Sequence, residues 1–416
     1  MIHKKLFYIF SFFILTTNYI HSQAYNKNYS FLNPNYKFIS ISFQFESNTI
    51  IIPFKINNST TLKLILDTGV RVPIITELPN KDSLLLNYVR EENIYGLGEG
   101  KPIQAYYSQG NSYSLNVVKW ENLNTLVLLE DVFELSKELG TKVHGLIGYD
   151  IFKDLIVEIN YEKKTIKFHN PDKYKYRKNK NSVSYPLEIK NLKPYIKTTI
   201  TQDDGSEVEV KLLIDTGASL ALWLSLQTND KLKLPEKYIH SYIGKGLNGD
   251  IFGKNGRIKK INIGHYEINN PITSFPDSNA IIKKTYNIEG RNGSIGSEIL
   301  RRFKLIIDYP NNKITFIPNS YFNHPFYLNM SGITINNPIP GFPIYIISNI
   351  RKGSPADIAG IMENDVLISI NHQPAKNLTL NDIHLIFQSG DEKKIKIMVL
   401  RNGKKIKTMF FLKKDI

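Results

Sequence analysis

The chain has 416 residues, a hydrophobic fraction of 42%, a formal net charge of +15 at pH 7 and no cysteine. That length and hydrophobic content predict two to three domains with packed cores. The lack of cysteine excludes disulfides, thiolate metal sites, cysteine nucleophiles and a lipid anchor on an N-terminal cysteine.

Residues 1–22 have the pattern of a secretion signal. Residues 1–5 are basic, residues 6–20 are mostly apolar, and a polar stretch with a plausible cleavage point after Ser22 follows. The alternative is an uncleaved membrane anchor, which the short apolar run and its Thr16, Thr17 and Asn18 disfavour. We therefore expect an exported protein, either periplasmic or secreted.

Two copies of Asp-Thr-Gly lie 148 residues apart, at positions 67–69 and 215–217. Each follows an apolar, strand-like run, at 62–66 and 210–214. The register between the copies extends without a gap over about a hundred positions. The positions that match across the 148-residue shift include Gly96 and Gly244, Gly98 and Gly246, Gly148 and Gly296, Tyr161 and Tyr309, and Phe168 and Phe316.

This internal duplication predicts two similar lobes, at residues 36–170 and 183–318. In each lobe, strand-like runs surround the Asp-Thr-Gly, and a glycine-rich turn, a short helix and a closing hairpin follow. Strands are short and helices are few, so we expect a mainly β protein whose lobes are barrel-like. Two like halves in one chain also predict a pseudo-two-fold axis between them.

Residues 171–182 connect the two repeats and contain the densest basic run of the chain, with tyrosines among the lysines. Such interleaving is compatible with nucleic-acid binding. We favour a solvated linker, because an exported protein seldom meets nucleic acid.

Residues 332–414 predict a separate α/β module of about 80 residues. A strand over 344–350, a one-turn helix within 353–360, a strand over 366–370 and an amphipathic helix over 380–388 precede a final hairpin. The hairpin turns at Asn402-Gly403, which is a strong type I′ turn signal.

The paired aspartates point to activation of water. Peptide hydrolysis needs a general base for the water and a general acid for the leaving nitrogen, and two carboxylates about 3 Å apart can share one proton to serve both roles. Gly69 and Gly217 allow the two loops to approach closely, and the hydroxyls of Thr68 and Thr216 can bond the opposite loop. The nine histidines show no ligand spacing, so we expect no metal and no cofactor.

These residues resemble the active-site motifs of the aspartic peptidases. The match consists of Asp67-Thr68-Gly69 and Asp215-Thr216-Gly217, each followed 81 residues after its aspartate by the glycine of an apolar run, Gly148 or Gly296. The resemblance is closest to the retropepsin-like branch, here as a tandem single chain, and covers roughly residues 38–318. It implies that Asp67 and Asp215 are catalytic, that the chain acts as a monomer, and that a polypeptide is the substrate.

Two positions depart from the pepsin-like pattern. Val70 and Ala218 follow the triplets, where a serine or threonine often bonds the aspartate; Ala218 is the retropepsin choice. Loss of a hydroxyl raises the pKa of a carboxyl group, so we expect an activity maximum at mildly acidic pH. The alternative function is a non-catalytic peptide-binding or adaptor protein on the same scaffold, with one aspartate as a turn residue.

Two glycine-rich turns are candidates for the flap with which this family covers its cleft. They contain Tyr95, Gly96 and Gly98 in the first lobe, and Gly244 and Gly246 in the second. Ordinary surface hairpins are an equal alternative. The second turn also matches a dinucleotide-binding pattern, but no βαβ unit surrounds it.

The C-terminal module resembles a PDZ domain of the kind found in bacterial proteases. The resemblance depends on residues 353–356, on Ala359-Gly360 and on residues 364–371. It implies capture of an extended peptide by strand addition, with Gly341 and Phe342 in the carboxylate loop. That loop departs from the usual Gly-Leu-Gly-Phe at two positions, and a purely structural appendage is the alternative.

Overall fold

The computed structural model describes residues 27–78, 84–94, 103–177, 179–246, 249–277 and 290–416. The candidate signal at 1–22 and the first flap candidate, with Tyr95, Gly96 and Gly98, lie outside these residues. Within them, no helix is long and apolar enough to cross a membrane. The fold is mainly β with few helices, which confirms the predicted fold class.

The first lobe is built on one sheet, to which nine strands belong within the described residues. Isoleucine and leucine dominate its central strands, whose side chains are buried on both faces. Its strands are Tyr29–Phe31, Gln44–Glu46, Thr49–Ile56, Leu62–Leu66, Ile74–Ile75, Arg90–Ile94, Ile103–Leu115, Val118–Leu128 and Gly145–Ile147.

The second lobe repeats this plan in a sheet to which ten described strands belong. Tyr238–Gly246 and Gly249–Arg257 form its long hairpin, which corresponds to the second flap candidate. The other strands are Glu188–Lys190, Lys193–Thr201, Glu207–Ile214, Leu222–Leu224, Lys260–Ile263, Tyr266–Asn269, Ile272–Pro276 and Gly293–Ile295.

A third sheet, which we call the interlobe sheet, joins the lobes. Both lobes contribute to its six described strands, whose order is Val183–Pro186, Lys313–Pro318, Phe303–Asp308, Ile156–Asn160, Thr165–His169 and Phe38–Ser42. At its centre Glu158 lies opposite Ile306, its own counterpart in the repeat (158 + 148 = 306), and Ile156 lies opposite Asp308. The pseudo-two-fold axis therefore passes through the pair Glu158 and Ile306.

One continuous hydrophobic core fills both lobes and the interlobe sheet. The helices are short, and those that follow Gly148 and Gly296 occupy equivalent places in the two lobes. The described α-helices are Leu135–Leu139, Tyr149–Phe152, Ser297–Leu300, Pro355–Ile358 and Leu380–Phe387; the 3-10 helices are Pro171–Lys173, Leu226–Thr228 and Ala375–Asn377.

The basic segment between the lobes is partly anchored, where a solvated linker was expected. The Tyr176 hydroxyl donates to the buried carboxylate of Asp308, and Lys313 Nζ lies 3.8 Å from the centre of the Tyr176 ring. The ring of Tyr174 packs edge-on against His169. These tyrosines therefore pack against the ends of inner strands of the interlobe sheet, whereas Lys175 and Arg177 remain exposed.

The C-terminal domain has its own core, separate from that of the lobes. This core includes Met330, two residues before the predicted start of the domain at 332. The final hairpin turns at Asn402-Gly403, where both residues have positive φ. The strands of its sheet are Ile333–Asn336, Ile346–Ile350, Val366–Ile370, Gln373–Pro374, Lys394–Arg401 and Lys404–Phe411.

Candidate active site

Each aspartate follows a buried strand that pairs in parallel with the strand of the downstream apolar run. Leu66 pairs with Ile147, and the Asp67 backbone N–H donates to the Ile147 carbonyl at 2.8 Å. In the second lobe Ile214 pairs with Ile295, whose carbonyl accepts from the Asp215 N–H at 3.0 Å. The constant 81-residue spacing thus reflects one structural unit that occurs twice.

The glycine that ends each downstream run is required by close packing. A Cβ atom at Gly148 would lie 2.1 Å from the Val70 carbonyl oxygen, and one at Gly296 would lie 2.1 Å from the Leu220 carbonyl oxygen. Non-bonded contacts of that length do not occur between a carbon and an oxygen atom, so any larger residue would displace the loop that carries the aspartate.

The two loops that carry Asp67 and Asp215 meet at the lobe interface, where their threonines form reciprocal hydrogen bonds. Thr68 Oγ1 donates to the Ile214 carbonyl at 2.5 Å, and Thr216 Oγ1 donates to the Leu66 carbonyl at 2.8 Å. The backbone N–H of each threonine donates to the hydroxyl oxygen of the other at 3.1 Å. Thr68 is 1% exposed and Thr216 is fully buried, so these bonds fix one loop against the other without competition from water.

The carboxyl groups of Asp67 and Asp215 are brought together by these loops. A Cβ added at Gly69 would lie 3.1 Å from Asp67 Oδ1 and 3.4 Å from Asp215 Oδ1, so both carboxyl groups border the same glycine. A Cβ added at Gly217 would lie 2.3 Å from Asp67 Cγ. The glycines of the triplets therefore leave the space that the paired carboxyl groups occupy.

Backbone amides supply hydrogen bonds where Val70 and Ala218 offer no hydroxyl. The Gly69 N–H donates to Asp67 Oδ1 at 2.7 Å, and the Ala218 N–H donates to Asp215 Oδ1 at 3.1 Å. Burial together with the charge of Asp215 nevertheless raises the pKa of Asp67 to about 8. Burial also raises the pKa of Asp215, against the opposing effect of Arg291. Such a pair holds one proton at neutral pH.

A cleft of about 940 Å³ opens above the aspartates and is lined by both lobes. The first-lobe wall has both apolar and charged side chains, and its charged lining residues besides Asp67 are of both signs: Arg71, Arg90, Glu92 and Asp150. On the second-lobe wall the charged lining residues besides Asp215 are all basic among those the structure describes: Lys193, Lys245 and Arg291. Its volume lies within the range of ligand-binding clefts.

The second flap candidate reaches this cleft. Gly244 and Gly246 lie at the end of the long hairpin and line the cleft together with Lys245. Lys245 Nζ also forms a 2.6 Å ion pair with Glu134 of the first lobe. The hairpin is therefore in contact with both lobes.

The candidate peptide loop of the C-terminal domain contacts the first lobe. The Gly341 N–H donates to the Gly140 carbonyl at 3.4 Å, and the Asn337 N–H donates to the Lys137 carbonyl at 3.0 Å. Phe342 is 63% exposed, and its N–H donates within the loop to Ile339. An incoming carboxylate would have to replace the Gly140 carbonyl at Gly341.

Models of known protein families match two parts of the chain, the second lobe and the C-terminal domain. Residues 197–298 match the family model described as aspartyl protease, and residues 346–402 match the model described as PDZ domain. The chain contains an aspartyl protease domain and a PDZ domain. The aspartyl protease match includes Asp215-Thr216-Gly217 and Gly296, and the lobe that carries Asp67 repeats its plan. No curated protein matches the chain.

Two features near the paired aspartates were not predicted from the sequence. Arg291 replaces the buried Val143 of the other lobe, a difference that the 148-residue shift already contains. Asn48 joins the lobes by donating from Nδ2 to Ser219 O at 3.0 Å and to Glu298 Oε2 at 2.8 Å, which no motif signals. The described residues contain no group of three or more acidic or histidine side chains able to hold a metal ion.

Proposed function

We propose that the chain is an aspartic endopeptidase in which Asp67 and Asp215 activate one water molecule. The observation that supports this most directly is the convergence of the two carboxyl groups at Gly69 and Gly217, on loops locked by Thr68 and Thr216. The ionised carboxylate removes a proton from water while the water oxygen attacks the peptide carbon. The protonated carboxyl gives its proton to the nitrogen as the C–N bond breaks.

Several features of the cleft favour peptide hydrolysis over peptide binding alone. Both triplets are intact, and burial raises the pKa of both aspartates, a perturbation that is common at catalytic sites. The hairpin at the cleft and the apolar side chains on both of its walls suit a bound peptide, and the paired aspartates add the groups needed to cleave it. We further propose that the protein is exported, because residues 1–22 have the pattern of a secretion signal.

The decisive experiment is cleavage of an unstructured protein by the purified chain, with and without a statine-type inhibitor that mimics the tetrahedral intermediate. We expect fragments that the inhibitor suppresses and that the Asp67→Asn and Asp215→Asn variants do not produce. Tight binding of peptides without any fragments would instead establish the non-catalytic alternative.

We propose a modest role for the PDZ domain in recruiting protein substrates, because its loop amide is already engaged by Gly140. A chain that ends at Asn329 should fold, since the PDZ core begins at Met330 and is separate from that of the lobes. It should cleave short peptides at the full-length rate and long proteins a few-fold less efficiently. Equal kinetics on long proteins would exclude recruitment.

A further inference from the structure

Arg291 is a charged side chain in the wall of the cleft that is only 8% exposed. It precedes the strand Gly293–Ile295, and its guanidinium bonds to that strand: Nε donates to the Gly293 carbonyl at 3.1 Å and Nη2 to Ser294 Oγ at 2.7 Å. The same strand pairs with the one that ends at Ile214, directly before Asp215, and its Ile295 carbonyl accepts from the Asp215 N–H. The backbone that positions Asp215 therefore also positions Arg291.

The first lobe has no equivalent cation among its described residues. The repeat places Val143 at the corresponding position (291 − 148 = 143), where the side chain is fully buried and apolar. Leu146 corresponds to Ser294, so the acceptor that holds the guanidinium is missing there as well. The backbone around the two aspartates is repeated, but at this position only the second lobe has a buried positive charge, that of Arg291.

The charge of Arg291 acts unequally on the two carboxyl groups. It is the strongest influence that opposes burial at Asp215, where it lowers the pKa. At Asp67 the opposing influences are the Gly69 amide, Lys193 and the Val70 amide. Lys193 favours ionisation of both aspartates, whereas Arg291 ranks ahead of it at Asp215.

A further titratable group close to the pair, among the described residues, is the buried phenol of Tyr309, whose pKa is raised by burial first and then by Tyr149 and Asp67. A phenol with a raised pKa stays neutral in the working range of the pair. Arg71 and Asp150 also line the cleft, but among the described residues the side-chain cations that act most strongly on the pair are Lys193 and Arg291.

We propose that Arg291 is a positioning residue that makes the aspartate pair asymmetric, with Asp215 as the ionised base and Asp67 as the protonated acid. This inference rests on the proposed function and specifies its mechanism. Asp215 takes one proton from water as the oxygen bonds to the peptide carbon, and Asp67 gives its proton to the nitrogen as the C–N bond breaks. Transfer of the proton from Asp215 to Asp67 then restores the starting state.

A direct role of Arg291 in holding an acidic side chain of the substrate is the competing interpretation. Its low exposure and its bonds to Gly293 and Ser294 favour the electrostatic role. The two roles differ in what they change: one moves the pH profile for every substrate, and the other changes KM for acidic substrates alone.

The test compares Arg291→Val, which copies the first lobe, with Arg291→Lys, which keeps the charge. We expect Arg291→Val to move the acid limb of kcat/KM up by about 1 pH unit, the lower end of the effect of an arginine on a neighbouring aspartate, and Arg291→Lys to leave it near the wild-type position. Ser294→Ala, which removes the Nη2 acceptor, should give a smaller shift in the same direction. Arg90→Gln, which removes a cation elsewhere in the cleft, should give none.

A readout without turnover separates this inference from the proposed function. In protein labelled with 13C at the aspartate carboxyl carbons, the resonance that Asp215→Asn removes should titrate at higher pH in Arg291→Val than in wild type. That result would support the asymmetry even if no substrate were cleaved. An unshifted titration, a uniform loss of kcat at every pH, or a KM change confined to acidic substrates would overturn it.

Discussion

The two lobes share a backbone but differ in the charges around their aspartates. The strand pairs that support the loops of Asp67 and Asp215 lie at positions 148 residues apart, and the threonine hydrogen bonds between the loops are reciprocal. The side chains beside those strands have diverged, with Val143 and Leu146 in one lobe and Arg291 and Ser294 in the other. A repeated fold thus supplies a symmetric frame. A pair that shares one proton has one ionised and one protonated member at any moment, and unequal surroundings favour one of the two arrangements.

The largest expected effect tests whether both lobes are needed. Asp67→Asn and Asp215→Asn should each lower kcat/KM by at least about 1,000-fold, because an amide can neither remove nor supply the shared proton. Steady-state kinetics give the loss, and circular dichroism establishes that the variants are folded. Activity near the wild-type level in either variant would contradict the dyad.

The two glycines of the triplets should respond differently to the same substitution. Gly217→Ala places a Cβ 2.3 Å from Asp67 Cγ and must displace that carboxyl group, whereas Gly69→Ala brings its nearest contact to 3.1 Å. A displacement of about 1 Å near the reacting atoms lowers the rate by about 100-fold, and we expect that loss for Gly217→Ala.

For Gly69→Ala we expect a loss of less than about tenfold, because a contact of this length needs only a small adjustment. Both variants are compared by kcat/KM at the same pH. Equal losses would show that the two loops are packed more alike than these distances indicate.

The threonine bonds should make equal contributions from the two lobes. Thr68→Val removes the hydrogen bond to the Ile214 carbonyl and leaves the Thr216 N–H without its acceptor. Thr216→Val removes the hydrogen bond to the Leu66 carbonyl and leaves the Thr68 N–H without its acceptor. Each variant should lower the free energy of unfolding by about 1–3 kcal/mol in urea titrations.

The double variant tests whether these bonds form one network. Since the two hydroxyls bond to the same pair of loops, its loss of stability should be smaller than the sum of the single losses. Strictly additive losses would argue against such coupling, and unequal single losses would show that one lobe dominates the interface.

The smallest expected effect concerns stability and pH. The folded-state pKa of Asp67 lies above its ordinary value of 3.8, so the folded state keeps a proton that the unfolded state loses, and this group reduces stability as pH rises from about 4 to about 8. Asp67→Asn cannot ionise. Between pH 4 and pH 8, the free energy of unfolding of this variant should therefore rise relative to that of wild type by at least about 1.4 kcal/mol, the equivalent of one pKa unit.

Asp215→Asn serves as the comparison for this measurement. Arg291 already stabilises the ionised form of Asp215. The relative rise in the free energy of unfolding over the same pH range should therefore be smaller for Asp215→Asn than for Asp67→Asn. Denaturant unfolding at pH 4 and pH 8 gives both values. A larger gain for Asp215→Asn would reverse the assigned roles of the two aspartates.

Much of this arrangement is predictable from the sequence, because the duplication repeats both motif and spacing. Asp67, Asp215, Gly148 and Gly296 could be assigned as one unit from the 81-residue spacing alone. The strands were predictable because their apolar residues are β-branched or alternate with polar ones. The final hairpin was predictable because Asn402-Gly403 favours positive φ at both positions.

Contacts between distant segments were not predictable, since no local pattern encodes them. The lysine-rich segment around Tyr176 has the composition of a solvated linker, and its anchor, Asp308, lies 132 residues away. Likewise, nothing around Gly140 indicates that its carbonyl meets the PDZ loop at Gly341. Arg291 had a detectable signal, but only a search for differences within the repeat would have found it.

The pair at the centre of the interlobe sheet has a consequence for assembly. If two copies of the first half paired as a homodimer in this register, Glu158 would face Glu158 across the strands, and like charges in that position are destabilising. In the chain itself Glu158 faces Ile306 and lies 3.7 Å from Lys304. Divergence at one position on the axis therefore disfavours self-association of the first half and favours the covalently linked partner.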